Sequence, residues 1–322
     1  MPEPWTRRGR LLMPEDLPGN HRLLQMPFCW ELANGLLRIA VSARDAQNRA
    51  HVFSFDADPE DDMRIHRVDP APIYSPDRFP GATSVGLSCV LRDTDGQMRA
   101  FGGALWLTPP NYQISIFTCT SDDDGQSFSD PVIVLPASRN RGLPVLSGCV
   151  RREGPLWRMW YTAFEEWRPR PGQDPDARYC IRHATSQDGL QWAQDVGFAL
   201  ARRSDAEAGI ISPTVISDKH GYEMWCSLRG PYSDANPQLR RYRLIRATSE
   251  NGERFAMDTQ ARVFGNPPVP GDWDHDMQCY PHLLRAGNRP DILLYVGNGY
   301  GAAGVGWASR PAGSSDTYQP LP

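Results

Sequence analysis

The sequence predicts an all-β chain built from one repeated unit, on three observations. Glycine (28) and proline (30) together approach a fifth of the 322 residues, a composition that interrupts helices and supplies turns. One turn motif recurs as Ser121-Asp-Asp-Asp-Gly-Gln-Ser-Phe128, Ser186-Gln-Asp-Gly-Leu-Gln-Trp192 and Ser249-Glu-Asn-Gly-Glu-Arg-Phe255, its serines 65 and 63 residues apart. Cys29, Cys89 and Cys149 recur at spacings of 60, and Val215 and His282 continue the series 66 and 67 residues further on.

Each element of the unit follows from its residues. An alternating strand precedes each turn: Tyr112 to Thr118, Tyr179 to Ala184 and Tyr242 to Ala247. In the turn, a Ser or Asp side chain bonds nearby backbone amides and glycine supplies positive φ, while the terminal aromatic packs between sheets. A second strand type follows, in Trp157-Arg-Met-Trp-Tyr161, Tyr222-Glu-Met-Trp-Cys226 and Leu293-Leu-Tyr295. Five units of about 60 to 67 residues, each supplying four short antiparallel strands, make a five-bladed β-propeller the expected fold. The whole chain, 1–322, is then one domain. Residues 1–25 form an N-terminal segment closing or supporting the ring, and 311–322 form a flexible tail.

Composition narrows the function. A net charge of −4 leaves no basic footprint for nucleic acid. No stretch of about 18 apolar residues is present to span a membrane, and no apolar run after Arg10 suggests export. Seven scattered cysteines without CxxC pairs read as buried, reduced thiols, hence a cytoplasmic protein. No cofactor is implied, and the oligomeric state is open.

Tyr179-Cys-Ile-Arg-His-Ala-Thr-Ser-Gln-Asp-Gly-Leu-Gln-Trp192, Ser212-Pro-Thr-Val215 and Tyr222-Glu-Met-Trp225 resemble the five-bladed propeller glycosidases. That superfamily includes arabinanases, β-xylosidases, invertases, levansucrases and mannoside phosphorylases. Ser42-Ala-Arg-Asp45 with Asn48 and Arg49, Trp273-Asp274 with Cys279-Tyr-Pro281, and Gly297-Asn-Gly-Tyr-Gly301 resemble a propeller group associated with bacterial surface-polysaccharide genes. The resemblance spans about Trp5 to Ala308. It implies a site in the central funnel, with two carboxylates about 5 to 9.5 Å apart if the chemistry is hydrolytic. The sequence departs from that pattern at the start of the second unit, where Phe79-Pro-Gly-Ala-Thr-Ser-Val-Gly-Leu-Ser-Cys89 carries no acid. The matching stretches Leu143 to Val150 and Ile210 to Val215 carry none either.

The remaining acids supply the catalytic candidates. Asp276 lies at the mouth of the expected inner strand Met277 to Pro281, and alternation from Asp274 would put Asp276, Gln278 and Tyr280 on one face. Glu165 and Glu166 follow a strand, and at most one of two adjacent residues faces the funnel. Asp45 adjoins Arg44, with which a local ion pair is an equal expectation. Arg44, Arg49, Arg182 and Arg229 are candidate substrate ligands, since an arginine fork matches carboxylate or phosphate oxygens. His282, Asn298 and Tyr300 complete the binding set, the glycines around Asn298 allowing close ligand approach. A metal on Asp274, His275, Asp276 and His282, or a nucleophilic Cys279 with His282 as base, has weaker motif support. The expected activity is that of a carbohydrate-active, glycoside-hydrolase-like enzyme acting on a sugar or anionic sugar derivative. Transfer, phosphorolysis or non-hydrolytic binding are the alternatives.

Overall fold

The computed structural model describes residues 3–312, except 94, 95, 110, 286 and 288. Most of the expected tail, from 313 on, therefore lies outside the described residues. The chain is all-β: its α-helix among them is the single turn Asn298–Gly301. Antiparallel meanders follow one another along the chain. His21–Glu31, Leu37–Asp45, Ala50–Asp58 and Arg64–Val68 pair in order. Ser84–Arg92, Met98–Thr108, Asn111–Ser121 and Val132–Leu135 do the same. So do Val145–Glu153, Leu156–Arg170, Gln173–Ser186 and Ala193–Gln194, and then Gly209–Asp218, Gly221–Arg229, Arg243–Ser249 and Ala256–Asp258. The last sheet contains Cys279–Leu284, Asp291–Val296 and Val305–Arg310, and its outer strand is Thr6–Leu12 from the other end of the chain. Single parallel pairs, Ala50 with Ser84 and Tyr179 with Gly209, join the first two meanders and the next two.

The repeated turns are built as their residues dictate. The Ser121, Ser186 and Ser249 hydroxyls accept from the amides of Gly125 (2.9 Å), Gly189 (2.9 Å) and Gly252 (3.0 Å). Those glycines have φ of 78°, 71° and 77°. Phe128, Trp192 and Phe255 are buried at the turn ends. All seven cysteines are buried and unpaired.

The first strands of the successive meanders pack on one another in sequence, and the last of them packs on the first. Each carries an irregularity where it meets its neighbours: between Gln25 and Phe28, Leu87 and Cys89, Ser147 and Cys149, Ile211 and Thr214, and Cys279 and His282. Three of these breaks are X-Pro steps, and Met26 (φ 51°), Ser212 (55°) and Tyr280 (54°) are left-handed residues before proline. A backbone of that kind costs on the order of 1–3 kcal/mol per residue and persists only where surrounding packing over-determines it. Three of the nine non-glycine residues with positive φ among the described residues thus lie where the first strands converge.

Candidate functional site

The convergence of first strands leaves a channel of about 20 Å³, lined by Ser88, Gly148, Ser212, Thr214, Tyr280 and His282 among others. That is room for roughly one water molecule and no sugar. A sugar therefore cannot sit within the axis itself. A larger cavity, about 1110 Å³, lies off it, beside Glu223, Arg246, Arg285 and Arg310, and the end of the axis where the first strands begin is the other candidate place for a site. Tyr112 lies within the third strand of its meander, Tyr179 within the next, and Tyr242 directly before Arg243–Ser249, all at that end. They pack in one cluster with Leu24, Leu146, Ile211, Phe164, Tyr280 and Tyr300. The Tyr179 and Tyr242 hydroxyls share a short hydrogen bond. Tyr242 packs 5.9 Å from Tyr280 and 5.9 Å from Tyr300, and Tyr112 lies 5.0 Å from Trp167.

Burial raises the phenols of Tyr179, Tyr242 and Tyr280 above the ordinary tyrosine value, and pushes Tyr300 up to about 12. At neutral pH these hydroxyls are therefore uncharged hydrogen-bonding groups on apolar rings. Tyr179 and Tyr242 are buried beneath this end, while the partly exposed rings of Tyr112, Tyr280 and Tyr300 are the ones a sugar face, which alternates C–H and O–H groups, could meet.

The structure separates the predicted site residues. Arg44, Tyr280 and Tyr300 belong to this mouth. Arg44 is the penultimate residue of the strand Leu37–Asp45 and donates from Nε to Gln25 Oε1 (3.3 Å) and from Nη1 to the Asn48 carbonyl (3.0 Å). Burial lowers its pKa, with Tyr280, Tyr112 and Asp45 acting in the opposite direction. Arg229 is also at the mouth but is largely engaged by its neighbours. It bonds Tyr179 Oη (2.5 Å), the carbonyls of Gly230 and Ala177 (2.9 and 2.8 Å), and Asp176 (3.0 Å). It is a buried brace, and Arg178 shares the same aspartate at 2.5 Å.

The acids do not converge as a hydrolytic pair would. Asp276 is exposed on the rim, ion-paired with Arg241 (2.7 Å) and beside His275 (3.2 Å). Glu165 pairs with Arg202 at 2.8 Å, while Glu166 faces solvent with Arg168 at 2.6 Å. Only one of the two glutamates is half-buried, as adjacency on a strand requires. Asp45 is consumed by its turn, where it accepts from the amides of Gln47 (2.9 Å) and Arg49 (2.8 Å). It makes no ion pair with Arg44 within 4.0 Å.

Several expectations are corrected. The alternation drawn from Asp274 through Tyr280 does not hold, because regular strand begins only at Cys279 and is broken again before His282. Asp274 is wholly buried, held by Arg7 and by the Tyr295 hydroxyl (2.7 Å), so it ties the N-terminal strand down. Gln278 donates to the Asp274 carbonyl within the same turn. Asn298 braces that turn too, accepting from the amides of Asp276 (2.8 Å) and Met277 (2.9 Å). The glycines beside it serve packing: Gly297 lies against Trp273, and Gly301 against the Leu24 carbonyl. Arg49 pairs with Asp77 on the surface at 2.9 Å. Arg182 lies on a third strand, paired with Tyr161 and stacked over Phe198 at 5.4 Å.

Burial pushes His282 down to about 4, so the ring is neutral at pH 7 and neither protonates a leaving group nor attracts an anion by charge. Cys279 is fully buried and its thiol is raised well above the ordinary value by that burial, which removes the nucleophile reading. Among the described residues no three His, Cys, Asp or Glu side chains converge as a metal site requires.

Sequence reasoning missed Gln25, Tyr112, Asp176, Tyr179 and Tyr242. The tyrosines were detectable, since they occupy equivalent places at or just before the third strands of three repeats. Gln25 and Asp176 carry no such repeat signal.

No family model matches the sequence. Two uncharacterized proteins of Mycobacterium tuberculosis, from strains CDC 1551 and H37Rv, are each 28% identical over 313 residues, covering 94% of this chain and 98% of theirs. Among solved structures, an α-L-arabinofuranosidase of Podospora anserina in complex with cellotriose superposes with a TM-score of 0.65. It is 14% identical, over 96% of this chain and 98% of that one. A structure described under the GH130 family of mannoside phosphorylases, with glycoside hydrolases that target β-1,2 mannosidic linkages in Candida mannan, gives a TM-score of 0.65 at 14% identity. It covers 97% of this chain and 91% of that one. At these identities the likeness concerns architecture, and the chain has the fold of the glycoside-hydrolase-like propellers.

Proposed function

We propose that the chain is a single five-bladed propeller domain, with Thr6–Leu12 closing the ring, and that it is a carbohydrate-active protein binding a glycoside or activated sugar at the tyrosine-lined mouth. The cyclic packing of the first strands supports the architecture. One observation carries the function: apolar phenol rings, their hydroxyls and the Arg44 fork gather at the end of the strained axial strands, on a fold whose relatives act on sugars. Asp276 is the carboxylate best placed to act as acid or base, being on the rim with its amide fixed by Asn298.

A second reading, sugar binding, transfer or phosphorolysis without two-carboxylate hydrolysis, is favoured by a specific feature. Glu165, Glu166 and Asp45 are each engaged elsewhere than with Asp276. A hydrolase needs its two carboxyl groups about 5 to 9.5 Å apart across the scissile bond. A panel of aryl glycosides, assayed with and without phosphate on wild type and Asp276→Asn, separates the readings. Release lost in the variant supports an enzyme using Asp276, and dependence on phosphate identifies phosphorolysis. Unchanged release in Asp276→Asn removes Asp276 from the chemistry. No release, together with saturable binding of the same glycosides, leaves a binding protein.

A further inference from the structure

Arginine in this protein is ordinarily neutralised when it is buried. Each of the buried arginines Arg38, Arg178, Arg229 and Arg310 is ion-paired: with Asp56 at 2.7 Å, with Asp176 at 2.5 and 3.0 Å, and with Glu223 and Asp291 at 3.0 and 3.1 Å. Arg44 differs. It is only partly exposed, it has no carboxylate within 4.0 Å among the described residues, and its Nη2 donates to none of them. Nη2 is not one of the buried polar atoms that lack a partner, so this edge is open to solvent and can take an anion in a charge-assisted bond.

The fork is held in position. Gln25 accepts from Arg44 Nε with its carbonyl oxygen and donates through Nε2 to the Tyr300 carbonyl (3.4 Å). The turn carrying Tyr300 is pressed in its turn on the Leu24 backbone through Gly301. Arg44 is therefore tethered at Nε and Nη1, with its remaining edge uncommitted. Near it are the neutral phenols of Tyr112 and Tyr280, with Asp45 the carboxylate whose charge reaches it; deeper in, Arg178 and Arg229 share Asp176.

We propose that Arg44 is a preorganised anion subsite, and that the ligand of the mouth is a sugar carrying a phosphate or carboxylate group that docks on this guanidinium. The proposal rests on the reading of the mouth as a sugar site and adds the charge of the substrate. Both groups present the paired oxygens that a guanidinium fork recognises, and charge-assisted bonds of this kind are the strong ones.

The test is calorimetric titration of the full chain with inorganic phosphate, glucose 1-phosphate, glucuronate and glucose. Wild type, Arg44→Gln and Arg44→Lys would be compared, with urea midpoints recorded to establish that each variant is folded. At least one anionic probe is expected to bind, with affinity falling as salt rises. Arg44→Gln is expected to weaken it by about tenfold to a hundredfold, and Arg44→Lys by less, since it keeps the charge but loses the fork. Preference for glucose 1-phosphate over glucuronate, or the reverse, identifies the anion.

Equal anion affinity in wild type and Arg44→Gln overturns the proposal, as does binding of none of the anions. Glucose binding as tightly as its charged derivatives overturns it while leaving the sugar reading standing. Phosphate binding that is lost in Arg44→Gln, with no gain from any attached sugar, supports the subsite and overturns the sugar reading instead.

Discussion

Asp274→Ala is expected to destabilise the fold by about 3 kcal/mol while leaving ligand chemistry at the mouth intact. The carboxylate is fully buried and takes Arg7 Nε at 2.9 Å, Arg7 Nη2 at 2.5 Å and the Tyr295 hydroxyl at 2.7 Å. Deleting one partner of a buried pair costs about 3–5 kcal/mol, because the other charge stays behind without its counter-charge. Here Arg7 is 15% exposed and keeps Asp272 at 3.0 Å, itself 33% exposed, which places the cost at the lower end of that range. The three bonds are not additive, so their separate values are not summed. Urea unfolding followed by tryptophan fluorescence reads the effect. With a slope on the order of 3 kcal/mol/M, the midpoint falls by about 1 M. Asp272→Ala is the control and is expected to move the midpoint much less, as solvent-screened pairs contribute little. Because Arg7 lies on Thr6–Leu12, amide exchange should rise first there and in Val305–Arg310. A loss below about 1 kcal/mol for Asp274→Ala, or one equal to that of Asp272→Ala, would refute the assignment of a buried electrostatic clasp.

Two further outcomes follow from the same geometry. His282 has its pKa lowered by burial from 6.5 to about 4, so the unfolded chain takes up the proton first as pH falls. Its contribution, up to about 3 kcal/mol, is present above pH 6.5 and is lost as pH drops towards 4. Urea midpoints should therefore vary less between these pH values in His282→Gln, and an unchanged pH slope would contradict the burial argument. Gly301→Ala places a methyl group on the Leu24 carbonyl at a φ of +100°. It is expected to cost about 2 kcal/mol or more, and a midpoint shift worth less than about 0.5 kcal/mol would show that the turn yields freely.

The repeat was legible because each copy satisfies itself locally. Ser186, Asp188 and Gly189 close their turn with bonds no more than three residues apart, so a motif of seven residues carries the whole instruction. The cysteine series was legible for a related reason, since Cys29, Cys89 and Cys149 occupy equivalent first-strand positions that are buried in every case. Asp274 was legible as a notable residue but not in its role, because its partner Arg7 lies 267 residues away. Alternation misled from Asp274 to Tyr280 because the period of two applies only to regular strand, and these residues are mostly turn.

The all-β class, the repeat, its turns and the buried thiols are readable from the residue order, since all of them depend on local bonding and on the periodicity of apolar side chains. Which of the many arginines and acids come together is visible only once the strands are packed. Arg229 and Arg44 look alike in sequence, yet one meets Asp176 and the other meets no carboxylate within ion-pair distance. That difference arises when strands more than a hundred residues apart converge at one mouth, and desolvation then makes the presence or absence of a counter-charge matter.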